Sequence, residues 1–174
     1  MTAVSNVRPG AGEYAESYAG YVAKVPETDV VAALGQQIAA VRAVFDAVPE
    51  SRADFRYAPD KWSIRELAGH LNDGERVFAY RALRFSRGDG AELAGFDENE
   101  YVASAPFSRV PLVDLVAEFE HQRRANVLLF RALAPEAWSR FGVASDNKMT
   151  VRAVAYVLVG HVRHHLGTLQ ARYL

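Results

Sequence analysis

Cysteine is absent from the 174 residues, which excludes disulfides, thiolate zinc sites and a cysteine nucleophile together. Histidine and carboxylate remain as the side chains able to ligate a metal, and any thiol chemistry must use a thiol brought in from outside. A charge excess is missing too. Twenty basic residues stand against 21 acidic ones, a formal net charge of −1, with no basic tract to follow a phosphate backbone, so no nucleic-acid partner is expected. There is no apolar run of membrane-spanning length. The strongest stretch, VRAVAYVLVG from Val151, is too short and is interrupted by Arg152. The N-terminal MTAVSNVRPGAGEYAESYAGYV lacks a charged segment followed by an apolar one, so no signal peptide and a cytoplasmic location are expected. Strand alternation, internal repeats and low-complexity tracts are not found at comparable strength.

What the chain does have is helical periodicity. Residues 1–26, rich in glycine, proline and tyrosine, read as a lead-in wrapping onto the body. Thr28 is the expected N-cap of a first helix with Val31, Leu34, Ile38, Val41 and Phe45 inward, ended by Pro49. Ser63-Ile64-Arg65-Glu66 forms a capping box that opens a second, with Ile64, Leu67, Leu71, Phe78 and Phe85 as its inner face. A polar connector with one possible turn at Asp97–Val102 follows. Pro111 then reads as the first residue of a third helix, where its missing N–H costs nothing. The link PEAWSRFGVASDNKMT leads to Thr150, the expected cap of a fourth. Helices at about 28–48, 63–87, 111–133 and 150–173 imply an all-α four-helix bundle in one domain spanning 1–174.

The last helix carries the chemistry. His161 and His165 lie four residues apart, about 40° around the axis, so both rings look the same way. His165 falls inside the apolar stripe Val151, Val154, Leu158, Val162, Leu169, and His161 on its rim. His164 is about 120° away from that stripe. His70, on the rim of the second helix, is the third candidate. If those helices are neighbours the three imidazoles converge, and three neutral nitrogens plus an open position suit zinc, nickel, iron or manganese. A single histidine on such a face is more often a hydrogen-bonded core residue, and i,i+4 pairs also arise by chance, so the pair needs the third ring.

Other polar residues have plainer readings. Asp73, one turn beyond His70, is placed to accept its second ring N–H, or is a solvated helix residue. Glu66 is explained by the capping box. Asn72, Glu75 and Arg76 either line a cleft mouth or keep a polar face soluble, and His121 reads as solvated. His164 could serve a dimer contact. Arg163 and Arg172 either attract an anionic substrate or complement a helix C-terminus. Trp62 and Trp138 read as packing anchors.

Taken together, KWSIRELAGHLNDGERVFAYRALRFSRGD and VLVGHVRHHLGTLQ resemble the two diagnostic stretches of the DinB superfamily, the DinB/YfiT-like metalloenzymes. There a tryptophan-serine pair opens a histidine-bearing helix, and the final helix carries an HxxxHH-like run; here these are Trp62-Ser63, His70, and His161 through His165, with Gly167 and Gln170 after them. The resemblance implies an up-down-down-up bundle, a divalent metal on His70, His161 and His165, zinc or nickel foremost, and a homodimer. Relatives of this kind include low-molecular-weight-thiol S-transferases and a mycothiol-dependent isomerase. The isomerase branch has a glutamate where this chain has His161, which places the chain nearer the three-histidine members. The expectation is a metal-dependent thiol S-transferase or hydrolase acting on a small molecule, without a membrane partner. The competing expectation is a non-catalytic stress or interaction protein in which the metal only staples two helices.

Overall fold

Each long helix starts where a side chain satisfies a backbone N–H that the helix itself leaves free. The computed structural model describes residues 7–174. Its helices are α1 (Ala19–Ala23), α2 (Val30–Phe45), α3 (Ile64–Ser86), α4 (Glu98–Ser104), α5 (Leu112–Arg131) and α6 (Val151–Arg172). The capping box of α3 forms: Ser63 Oγ accepts from Glu66 N at 3.1 Å and Glu66 Oε2 accepts from Ser63 N at 2.7 Å. Thr150 Oγ1 caps α6 by accepting from Ala153 N at 3.1 Å.

Two helix starts differ from expectation by one residue. Asp29, not Thr28, caps α2, its carboxylate accepting from Ala32 N at 2.9 Å. Pro111 lies just outside α5 with an extended ψ of 140°, and Glu50, from a distant turn, accepts from Leu112 N at 3.0 Å. A carboxylate from elsewhere in the fold thus supplies what the proline cannot.

Polar contacts fix the directions of the four long helices. Tyr156 donates to the carbonyls of Glu27 and Thr28, and Arg52 to that of Tyr173, so α2 and α6 run parallel. Asn72 donates to Leu115 O and Arg123 pairs with Glu75, so α3 and α5 run parallel. Arg42 to Glu120 and Arg123 to Gln37 make α2 and α5 antiparallel. The order is up-down-down-up, with α2 and α3 each packed between α5 and α6.

A short hairpin, β1 (Phe141–Ala144) and β2 (Asn147–Thr150), occupies the link expected to be irregular. Its two-residue turn is Ser145-Asp146, both at positive φ (53° and 59°), the twist that close hairpins need. Gly142 lets it press on α3, where a Cβ would stand 1.8 Å from the Phe85 ring. Leu93 adds an edge through hydrogen bonds to Val143 and Ser145, which carries the α3–α4 connector across that end.

The core has two apolar halves. One surrounds the first half of α6, Val151–Val159, with the start of α2 and the end of α3. The other surrounds Val162, Leu166 and Leu169 with the end of α2 and the starts of α3 and α5. Between them all four long helices place polar residues: Gln37, Asn72 and Glu75, Arg123 and Asn126, and His161, all buried. Arg123 and Glu75, 0% and 1% exposed, form a two-point ion pair; Gln37 Oε1 accepts from Arg123 at 2.6 Å, and Asn126 donates to Glu75 at 2.8 Å. Gln37 closes the belt by donating to Val159 O at 2.9 Å.

Candidate metal centre

The site lies at the edge of this polar belt, where the first turns of α3 meet the last turns of α6. Antiparallel α3 and α6 bring residue 70 opposite residues 161 and 165, and the three rings converge. His70, His161 and His165 each offer a ring nitrogen, all within 4.8 Å of one another. Three points no farther apart than that share a centre within about 2.8 Å of each, against an imidazole–zinc bond of about 2.0–2.1 Å. The Nε2 atoms of His70 and His161 are 2.9 Å apart.

Burial keeps the rings uncharged. Desolvation lowers the pKa of His70 to about 4 and, with the neighbouring His70 and His164, that of His165 to about 3. His161 is held well below the ordinary value by desolvation first, then by His165 and His70. Neutral imidazoles are the form that binds a metal. The donor set and its spacing fit a divalent ion.

Neighbouring residues hold the rings in place. Gly74, one turn past His70 on the same face of α3, leaves room for His161: a Cβ there would be 2.8 Å from its Cε1. Gly160 admits the backbone of α1, whose Tyr21 carbonyl would be 2.0 Å from an added Cβ. Tyr21 then stands edge-on to His161 and His164, with ring centroids 5.6 and 5.7 Å away. Trp62 does more than anchor packing. Its indole lies 4.6 Å from the His70 ring and 6.2 Å from His165.

The remaining candidates separate. Asp73 makes no hydrogen bond to His70; its carboxylate faces Arg76 at 3.9 Å, with burial and nearby Glu118 raising its pKa. Asn72 and Glu75 are buried in the belt and not at a cleft mouth, because α5 packs directly over them. Arg76 pairs with Glu118 and Arg163 with Glu27. Trp138 is buried against Phe130 at 5.7 Å. His121 is exposed, and His164 stands at the rim of the site.

The three histidines open onto a cavity of about 340 Å³ walled by aromatic side chains and lined also by Arg81 and Ser145. Gly74, Tyr21 and Arg81 escaped the sequence reading. A signal existed for two of them. At ~100° per residue, positions 70, 74, 78 and 81 share one face of α3 within about 80°.

No curated protein matches the chain. Among solved structures, YfiT from Bacillus subtilis, described as a probable metal-dependent hydrolase with an unusual four-helix bundle topology, superposes with a TM-score of 0.74 at 16% identity, covering 82% of each chain. No helix among the described residues is long and apolar enough to cross a membrane. The family model of the DinB superfamily matches residues 33–169, a span that takes in both histidine-bearing helices and everything between them, and the chain belongs to that superfamily.

Proposed function

We propose that His70, His161 and His165 hold one divalent ion, zinc or nickel, and that the protein is a metal-dependent hydrolase acting on a small molecule. The observation that carries this reading is three neutral imidazoles, His70 and His161 buried and His165 half-buried, within 4.8 Å of one another at the wall of an open cavity. The description of YfiT as a probable metal-dependent hydrolase supports the same reaction class. A metal there supplies Lewis acidity, enough to ionise water or a thiol near neutral pH.

The chain's own residues do the rest. Trp62 and Gly74 orient the rings, and Tyr18, Tyr21, Phe78 and Phe96 wall the cavity beside them. Burial, Glu98 and Tyr18 keep the Tyr21 phenol protonated, so it can donate to a developing oxyanion. Burial and Lys24 lower the pKa of His164, leaving it neutral at the cavity rim and able to accept a proton.

A second reaction shares this machinery. With no cysteine in the chain, transfer of a low-molecular-weight thiol to an electrophile would use the thiol as co-substrate. The test is a paired screen of metal-loaded protein, ester and amide hydrolysis in one arm and thiol conjugation in the other, each with His161→Ala as control. Hydrolysis lost in that variant is expected. Thiol conjugation alone would replace the hydrolase with the transferase, and turnover in neither arm would favour a non-catalytic role. The reading also includes a cytoplasmic homodimer; a mass near the 19.2 kDa of one chain by light scattering would contradict the dimer.

A further inference from the structure

Arg81 lies three turns along α3 from His70, on the same helix face, and is 2% exposed. Among the described residues no carboxylate lies within 4.0 Å of its guanidinium, and residues 1–6 contain no acid. The group keeps its charge when buried, because guanidinium does not deprotonate in proteins. Its hydrogen bonds go to neutral hydroxyls: Ser145 Oγ at 2.8 Å and Tyr18 Oη at 3.4 Å. The Phe78 and Phe96 rings face it at 5.3 and 6.0 Å, a partial compensation.

Arg123, 0% exposed, shows how this fold treats such a charge when its role is internal. It receives both oxygens of Glu75 and the side chain of Gln37. Arg81 has no such partner, and it lines the cavity that holds the three histidines. A buried cation lacking a counter-charge and facing a cavity is poised to bind an anion. Glu98, the acid on that cavity's wall, is exposed at the start of α4, where water screens it.

We infer that Arg81, with Ser145 and Tyr18, forms an oxyanion subsite that binds the carboxylate or phosphate end of the substrate. Positions 70 and 81 are about 16 Å apart along the axis at ~1.5 Å per residue. The substrate is therefore an elongated organic anion, its charged end on Arg81, its apolar body along Phe78 and Tyr21, and its reacting end at the histidines. This rests on the reading of the histidines as the reaction centre, but the anion subsite can be tested without it.

The test is calorimetric titration of the untagged protein with inorganic phosphate and, separately, with glutarate, before and after chelation. Wild type, Arg81→Gln and Arg81→Lys are compared, with metal content measured for each. Saturable binding that survives chelation and weakens at least ~10-fold in Arg81→Gln, with partial recovery in Arg81→Lys, is expected. A preference between the two anions identifies the substrate's end group. Binding that disappears on chelation but persists in Arg81→Gln would assign the anion to the metal and overturn the subsite while leaving the metal reading intact. Absence of metal with Arg81-dependent binding would do the reverse. A third outcome is no anion binding by wild type together with a lowered melting temperature in Arg81→Gln. Arg81 would then be a brace for the Ser145-Asp146 turn, and the subsite would be wrong.

Discussion

Three imidazoles packed together without a carboxylate partner carry a measurable acid liability. Unfolded, each has a pKa near 6.5; folded and metal-free, His70 falls to about 4 and His165 to about 3. The unfolded chain therefore binds more protons between those limits, and stability must fall as pH drops from about 6.5 toward 4. His70 alone contributes roughly 3 kcal/mol of this loss. Urea unfolding of the metal-free protein at pH 7.5 and 4.5 measures it; equal midpoints would mean the rings are not held neutral. Gly74 offers a second check. In Gly74→Ala the new methyl displaces the His161 ring, and metal affinity by chelator competition should fall about 10-fold or more with little change in helicity. His161 and His165 stood out in the sequence because helical spacing puts both on or beside one apolar face, and the family resemblance joined His70 to them. Tyr21 did not, because its approach depends on α1 docking at Gly160, a contact that no local pattern encodes.

At the scale of elements, the polar belt sets which helices meet and at what height. Arg123→Met would leave the Glu75 carboxylate buried and unpaired, at a cost of about 3–5 kcal/mol, whereas adding Glu75→Leu should recover much of that. Denaturant midpoints of the two single variants and the double variant decide it; additive losses would contradict a coupled pair. Helix starts were legible where the expected side chain is the one that caps, as at Ser63 and Thr150. They shifted by a residue where the structure used another group, Asp29 at α2 or the distant Glu50 at α5. The hairpin was not legible. Its strands are four residues each, too short for alternation to register, and Ser-Asp is a weaker turn signal than Asn-Gly. That hairpin nonetheless brings Ser145 to Arg81.

For the whole molecule, the two apolar halves lie on either side of the belt, so the bundle does not need an ion to unite it. Chelation should leave the far-ultraviolet circular dichroism intact and lower the melting temperature only by the mass-action contribution of binding. Collapse of the helical signal on chelation would instead favour a metal that staples α3 to α6 without catalysing anything. The up-down-down-up order followed from the family resemblance and not from periodicity, since helix patterns say nothing of direction; in the structure it is fixed by pairs such as Asn72 with Leu115 and Arg52 with Tyr173. The most direct measurement is the metal content of protein purified without a histidine tag. Three neutral rings around one centre predict about one equivalent of divalent metal per chain in the wild type and a loss of most of it in His161→Ala. Less than about half an equivalent, unchanged by that substitution, would contradict the site.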